Sequence, residues 1–205
     1  MTKMRFQITM ERGMTICSEN LENQLRQVLA TEESASRIEP GKRTPAAVLV
    51  PFVCLDGHWH LLFTKRTNGV AKHRGEISFP GGAVEVDDDD QIQTALRETL
   101  EEIGVPKEKI KVIGAIEPVP TISNFCVLPV VGIMEWPLSL NVNQDEVEKI
   151  ILIPVDWLSN AENWYESDYE YEPGTFRRLI HYQDYNGEHL WGLTALMTRK
   201  VLDLL

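Results

Sequence analysis

Glu98, Glu101 and Glu102 stand close together in the run Arg97-Glu98-Thr99-Leu100-Glu101-Glu102-Ile103-Gly104-Val105. On a helix, residues three and four apart share a face, so these three carboxylates gather on one patch. Like charges at that spacing cost an isolated helix roughly 0.2–0.5 kcal/mol per pair. A hard divalent cation such as Mg²⁺ or Mn²⁺ removes this penalty, because it takes carboxylate oxygens and keeps positions for water and phosphate oxygens. The same cation offsets the charge of a diphosphate and lowers the pKa of a bound water. Arg97 is placed to orient one carboxylate or to steady the loop before it. Taken alone, an E-x-x-E-E triplet is more often a solvated acidic face, so its context decides.

The acids need a helix beneath them, and the pattern predicts one over Gln91 to Ile103. Ile92, Ala95, Leu96, Thr99, Leu100 and Ile103 form its inward stripe, with Gly104 and Pro106 as the stop. Upstream, Phe79-Pro80-Gly81-Gly82 forces a sharp turn, and the two glycines let backbone approach a metal or phosphate closely. Strands are predicted at Ala46 to Leu55 and Trp59 to Lys65, joined by the hairpin signal Asp56-Gly57. The stretch from Arg66 to Glu76 reads as an exposed loop. Further strands are expected at Ile110 to Glu117, Cys126 to Glu135 and Val147 to Ile153, the last leading into Pro154 to Leu158. A hairpin is expected from Arg178–Tyr182 to His189–Trp191, turning at Asn186-Gly187. The acidic, tyrosine-rich stretch Glu166 to Glu172 reads as a surface loop. Helices are predicted at Asn20 to Thr31 and Leu193 to Leu205. This mixture implies an α/β chain with a mixed sheet, divided into an extension and linker (1–42) and a main domain (43–205).

Composition bounds the partners. With 205 residues, 43% hydrophobic and 25% charged, the chain can bury a real core. A net charge of −11 repels nucleic acid and anionic membranes, while a small anionic substrate is admissible beside a cation. The apolar run Ala46 to Leu55 is too short to span a bilayer, and the first residues lack a secretion signal. Cys17, Cys54 and Cys126 form no CxxC pair; their odd number and wide spacing argue against a disulfide or zinc site and for a reducing, cytoplasmic setting. Asp87 to Asp90 lack EF-hand spacing. His58 and His60 read as surface residues, and Trp157, Trp164 and Trp191 as packing residues.

The block from Gly82 to Val105 resembles the Nudix box, G-x5-E-x7-R-E-U-x-E-E-x-G-U with U aliphatic. Its second half matches at every fixed position, with Thr99 in one aliphatic slot. Its first half is one residue longer, and the early glutamate slot falls among Asp87 to Asp90, none of which is singled out. Before the box, Leu62 to Thr67 and Gly75 to Gly82 are similar to the signature L-L-T-x-R-[SA]-x3-R-x3-G-x3-F-P-G-G of coenzyme A pyrophosphatases. Arg66, Gly75 and Phe79 to Gly82 match in register; Phe63, Thr67 and Ala71 depart. Pro118 to Val130, Asn143 to Leu158 and Trp191 to Ala195 also resemble that subgroup.

The resemblance implies a Nudix-type α/β/α sandwich that hydrolyses coenzyme A, or a derivative of it, to 3′,5′-ADP and 4′-phosphopantetheine. It implies Mg²⁺ or Mn²⁺ on Glu98, Glu101 and Glu102, and catalytic roles for Glu98, Arg97 and Glu101. Glu101 is assigned as the base, with Glu146 as an alternative. Arg66, Lys72, His73, Arg74, Gly81 and Gly82 would contact the substrate. Other readings are a Nudix enzyme for ADP-ribose, a dinucleotide or a nucleotide sugar, and a non-catalytic Nudix-fold module. A homodimer is left open.

Overall fold

The structure, a computed structural model, describes residues 17, 19–31, 42–67, 75–172 and 174–205. Lys72, His73, Arg74 and most of the first forty residues therefore lie outside the described residues. Helix α1 (Glu19–Val28) is followed by β1 (Thr44–Leu55), β2 (His58–Arg66), β3 (Ile77–Ser78) and β4 (Gly81–Ala83). Helix α2 (Gln91–Ile103) leads to β5 (Ile110–Ala115), β6 (Val119–Pro120), β7 (Phe125–Met134) and β8 (Val147–Pro154). The chain ends with α3 (Val155–Ser159), β9 (Trp164–Glu172), β10 (Thr175–Tyr182) and α4 (Gly192–Leu202).

The large sheet is mixed. β1 runs parallel to β7, and its other neighbours are antiparallel. β1 and β2 are joined by a turn with positive φ at Asp56 and Gly57, as the Asp-Gly pair predicts. They pair only from Phe52 to Leu55 and from His58 to Leu61. Beyond that they splay, and residues 77–83 occupy the gap, with β3 on β2 and β4 on β1. This wedge carries Gly81-Gly82 to the sheet surface beneath α2.

Alternation along the central strands feeds two cores. Ala47, Leu49, Val53 and Leu62 join Ile92, Ala95, Leu96 and Ile103 under α2. Ala46, Val50, Phe52, Leu61 and Phe63 join Leu21 and Leu25 of α1 and Met197 and Val201 of α4 on the opposite face. Helices therefore cover both faces, which is why Ala46 to Leu55 reads as an unbroken apolar run. The expected α/β/α sandwich is the observed fold.

Three expectations change. Cys17 and Cys54 form a disulfide across a sequence separation of 37 residues, with Cα atoms 5.9 Å apart, while Cys126 is free. Spacing along the chain could not reveal this pair, because the fold alone brings the start of α1 to the end of β1; the cysteine argument for a reducing compartment loses its basis. Glu166 to Glu172 is strand rather than loop and pairs with β10. Its alternation of Tyr165, Ser167, Tyr169 and Tyr171 with acids is a period-two pattern. The segment after β10 does turn at Asn186-Gly187, closed by reciprocal Tyr185–Glu188 backbone hydrogen bonds, but it returns along β10 as isolated bridges rather than as a strand. Among the described residues no helix is long and apolar enough to cross a membrane.

Candidate active site

Helix α2 has the predicted bounds, Gln91–Ile103, but Leu100 of the expected inward stripe is exposed. Asp90 caps its start, its Oδ1 accepting from the Gln93 amide at 2.8 Å. Gly104 closes it in the left-handed conformation at φ 72°, where its N–H donates to the Leu100 carbonyl. Thr99 fills the aliphatic slot without leaving an unsatisfied hydroxyl: it is fully buried, and its Oγ1 donates to the Ala95 carbonyl at 2.7 Å.

Arg97 is the hub of the acidic face. Its Nε and Nη2 donate to the two carboxylate oxygens of Asp88 at 2.9 and 3.0 Å. Nη1 donates to Glu98 at 3.0 Å and to Glu101 at 3.1 Å, and Nη2 also reaches the Ala83 carbonyl at 3.2 Å. Arg97 thus both orients carboxylates and steadies the preceding loop. Asp88 is the member of the aspartate run that anchors Arg97, while Asp90 serves as the cap. Asp88 also accepts from the Glu85 amide and from Thr94 Oγ1. These donors, Arg97 first, hold its carboxyl down at about 2 against an ordinary 3.8.

A depressed carboxylate pKa contributes stability above its unfolded value and loses it on acidification through the folded one. The Asp88 share is about 2 kcal/mol at neutral pH, disappearing between roughly pH 4 and pH 2. The Asp88→Asn variant should therefore lose about 1 kcal/mol less than the parent between pH 6 and pH 3, read from urea unfolding midpoints. Identical pH dependence in both proteins would contradict this pairing.

The three glutamates share the helix face but not an environment. Glu101 is half exposed. Glu98 is largely covered, and desolvation raises its pKa, with Arg97 opposing. Glu102 is 2% exposed. Its Oε1 lies 3.8 Å from Nη1 of Arg66, and its Oε2 is buried with no hydrogen-bond partner among the described residues. Burial is the main reason its pKa is pushed up to about 8; Arg66 opposes the rise, and Glu98 and Glu146 add to it. As the side chains stand, no group of three His, Cys, Asp or Glu residues converges into a chelate among the described residues, since Arg97 draws Glu98 and Glu101 to itself.

The glycines are explained by contact. A Cβ on Gly82 would lie 2.3 Å from Oε1 of Glu98, and one on Gly81 would lie 2.3 Å from the Ala47 carbonyl. Gly82→Ala must therefore displace the Glu98 carboxylate. A misplacement of about 1 Å costs on the order of 10²-fold in rate, and kcat of the purified variant should fall by that order with its circular dichroism unchanged. Parental kcat would show that the contact is not needed.

Spacing did not point to the loop that brings Glu146 in. The Asn143 amide donates to the Glu102 carbonyl at 2.9 Å, and its Nδ2 reaches Glu146 Oε1 at 3.3 Å. From β2's end, Thr67 donates through its amide to the Glu146 carbonyl and through its hydroxyl to the Asp145 carbonyl, both at 2.9 Å. Glu146, Arg66 and Glu102 thus come together from three separate segments. His58 and His60 lie at the start of β2, the opposite end of that strand from Arg66.

A sequence profile of the NUDIX domain matches residues 42–174. The chain belongs to the Nudix hydrolase family. The NudL protein of Pectobacterium atrosepticum, named an uncharacterized Nudix hydrolase, is 36% identical over 156 residues, covering 76% of this chain and 80% of its own. NudL of Citrobacter koseri is 37% identical over 161 residues, covering 78% and 81%. A MutT/nudix family protein from Enterococcus faecalis has the same fold, with a TM-score of 0.51 and 16% identity over 92% of this chain and 76% of that one. Within this Nudix hydrolase, the box helix is α2, and since Gly82 to Asp88 keeps the G-x5 spacing, the extra residue of the box lies between Asp88 and Arg97.

Proposed function

We propose that the chain cleaves the diphosphate of coenzyme A or a CoA derivative, releasing 3′,5′-ADP and 4′-phosphopantetheine, with Mg²⁺ or Mn²⁺ held by Glu98, Glu101 and Glu102. The observation that carries the hydrolytic reading is Glu102: a buried carboxylate with one oxygen facing Arg66 and the other without a donor among the described residues. Such an oxygen fits a hard cation, and the backbone at Gly82 leaves Glu98 room beside it. A bound cation would neutralise diphosphate charge and lower the pKa of the attacking water. Arg66 is 28% exposed and suited to bidentate contact with phosphate oxygens. Lys72, His73 and Arg74, in the same signature segment, are proposed to add substrate contacts. Water attacks one phosphorus, the bridging P–O bond breaks, and a carboxylate accepts the proton. Glu101 is the base we assign, with Glu146 as the alternative. Residues 43–205 form the catalytic unit in this reading, with 1–42 as its extension.

The CoA assignment rests on the signature across Leu62–Thr67 and Gly75–Gly82. Incubation with Mg²⁺ or Mn²⁺ and a panel of CoA, acyl-CoA, oxidised CoA, ADP-ribose, dinucleotides and nucleotide sugars tests it. The expected result is 3′,5′-ADP release from CoA or a CoA derivative with the highest kcat/KM of the panel. Equal or better turnover of ADP-ribose or a dinucleotide would move the assignment to that substrate. Absence of any turnover would favour a binding module, which the retention of all three carboxylates argues against.

A further inference from the structure

A polar relay lies on the small β9–β10 sheet, outside the box. Ser167 Oγ is 2.9 Å from His181 Nε2, and His181 Nδ1 is 3.3 Å from His189 Nε2. Asp184 Oδ1 then lies 3.0 Å from His189 Nδ1. The rings are held in place by stacking. Tyr165, the cross-strand partner of His181, stacks on it at 5.2 Å and 11°. Trp191, bridged to His181 from the other side, stacks at 6.0 Å and 12°. His189 and Asp184 are open to solvent, with side chains 43% and 68% exposed.

Asp184 constrains the tautomer of His189, whereas the Ser167 hydroxyl can either donate to His181 or accept from it. An ionised Asp184 can only accept, so His189 carries its proton on Nδ1 and a lone pair on Nε2. With Ser167 as acceptor, His181 carries its proton on Nε2 and a lone pair on Nδ1. Two lone pairs then face each other across 3.3 Å, an arrangement that repels unless a proton or a Lewis acid lies between them. We propose that His181 Nδ1 and His189 Nε2 form a binding site for a borderline transition-metal cation of the Zn²⁺, Ni²⁺ or Cu²⁺ class, distinct from the carboxylates of α2. A tetrahedral zinc ion with Zn–N bonds of about 2.0–2.1 Å holds two nitrogens about 3.3–3.4 Å apart. Asp184 and Ser167 occupy the outer positions that orient metal-binding imidazoles and raise their basicity. Water fills the remaining coordination positions. Imidazole ligands select a different class of ion from the hard cation that carboxylates prefer.

Titration of the tag-free full chain with Zn²⁺ in excess Mg²⁺, followed by calorimetry, tests the site, with Cu²⁺ electron paramagnetic resonance as its spectroscopic signature. The expected result is saturable binding and superhyperfine coupling to two imidazole nitrogens. His189→Ala should weaken Zn²⁺ binding at least tenfold and remove the two-nitrogen pattern, and Asp184→Asn should weaken binding by about tenfold. The paired variant His58→Ala/His60→Ala should bind as the parent does. Mg²⁺-supported hydrolysis should be unchanged in His189→Ala, which separates this site from the catalytic reading. Because His189 is exposed, that variant decides the matter even if His181→Ala loosens the small sheet. Absence of binding by the parent, or parental affinity in His189→Ala, would overturn the proposal; either would fit a relay in which the Ser167 hydroxyl donates to His181 and no metal enters.

Discussion

Replacing Glu102 by glutamine should lower kcat by at least 10²–10³-fold, on the order seen when one charge-stabilising group is removed from an active site, while leaving the fold intact or firmer. The two halves of this expectation have one cause. Glu102 is the most deeply buried acid of the α2 face, at 2% exposure, and its Oε2 has no donor among the described residues. In the metal-free protein a charge there is a liability, which is why the carboxyl is pushed up to about 8. Glutamine keeps the shape and removes the charge, so urea unfolding without metal should show equal or higher stability. The same change removes the anion that attracts a divalent cation and faces Arg66. Activity and stability therefore move in opposite directions, which a purely structural residue would not produce. Unchanged kcat at saturating Mg²⁺ would remove Glu102 from the site.

Arg97→Ala should damage both fold and rate. Asp88, whose side chain is 5% exposed, would keep its charge and lose a bidentate partner. Breaking a buried pair by removing one member costs about 3–5 kcal/mol; Arg97 itself is 22% exposed, so a loss of about 2–3 kcal/mol is expected here after solvent screening. Glu98 and Glu101 would lose their shared anchor, and kcat should fall on the order of 10²-fold. Arg97→Lys separates charge from geometry, because an ammonium cannot reproduce the fork on Asp88 while reaching Glu98, Glu101 and Ala83. It should recover part of the stability and little of the rate. Thermal unfolding and kcat measured side by side read both effects, and a lysine variant with parental kcat would show that charge alone suffices.

Much of this arrangement was legible in local sequence, wherever the cause is local. The bounds of α2 follow from its apolar stripe and the Gly104 stop, and the common face of Glu98, Glu101 and Glu102 follows from helical spacing. The Asp56-Gly57 turn follows from the positive φ it needs. Thr99 looked like a departure from the box, and its back-bond to Ala95 shows why a hydroxyl is tolerated in a buried helical position. The strand over Trp164–Glu172 was also legible, in an alternation that its acidity disguised as loop.

What residue spacing determined by itself is therefore helix α2, its acidic face, the glycine turn and the elements that carry them. Tertiary structure decided which aspartate anchors Arg97, which of three chemically identical glutamates is buried, and that Asn143 and Thr67 carry Glu146 to the helix. It also decided that Cys17 meets Cys54 and that Ser167, His181, His189 and Asp184 form one chain of contacts. The reason is reach. Helical and strand periodicity relate residues a few positions apart, whereas burial, ion pairing and ring stacking depend on which distant segments the packed sheet brings together.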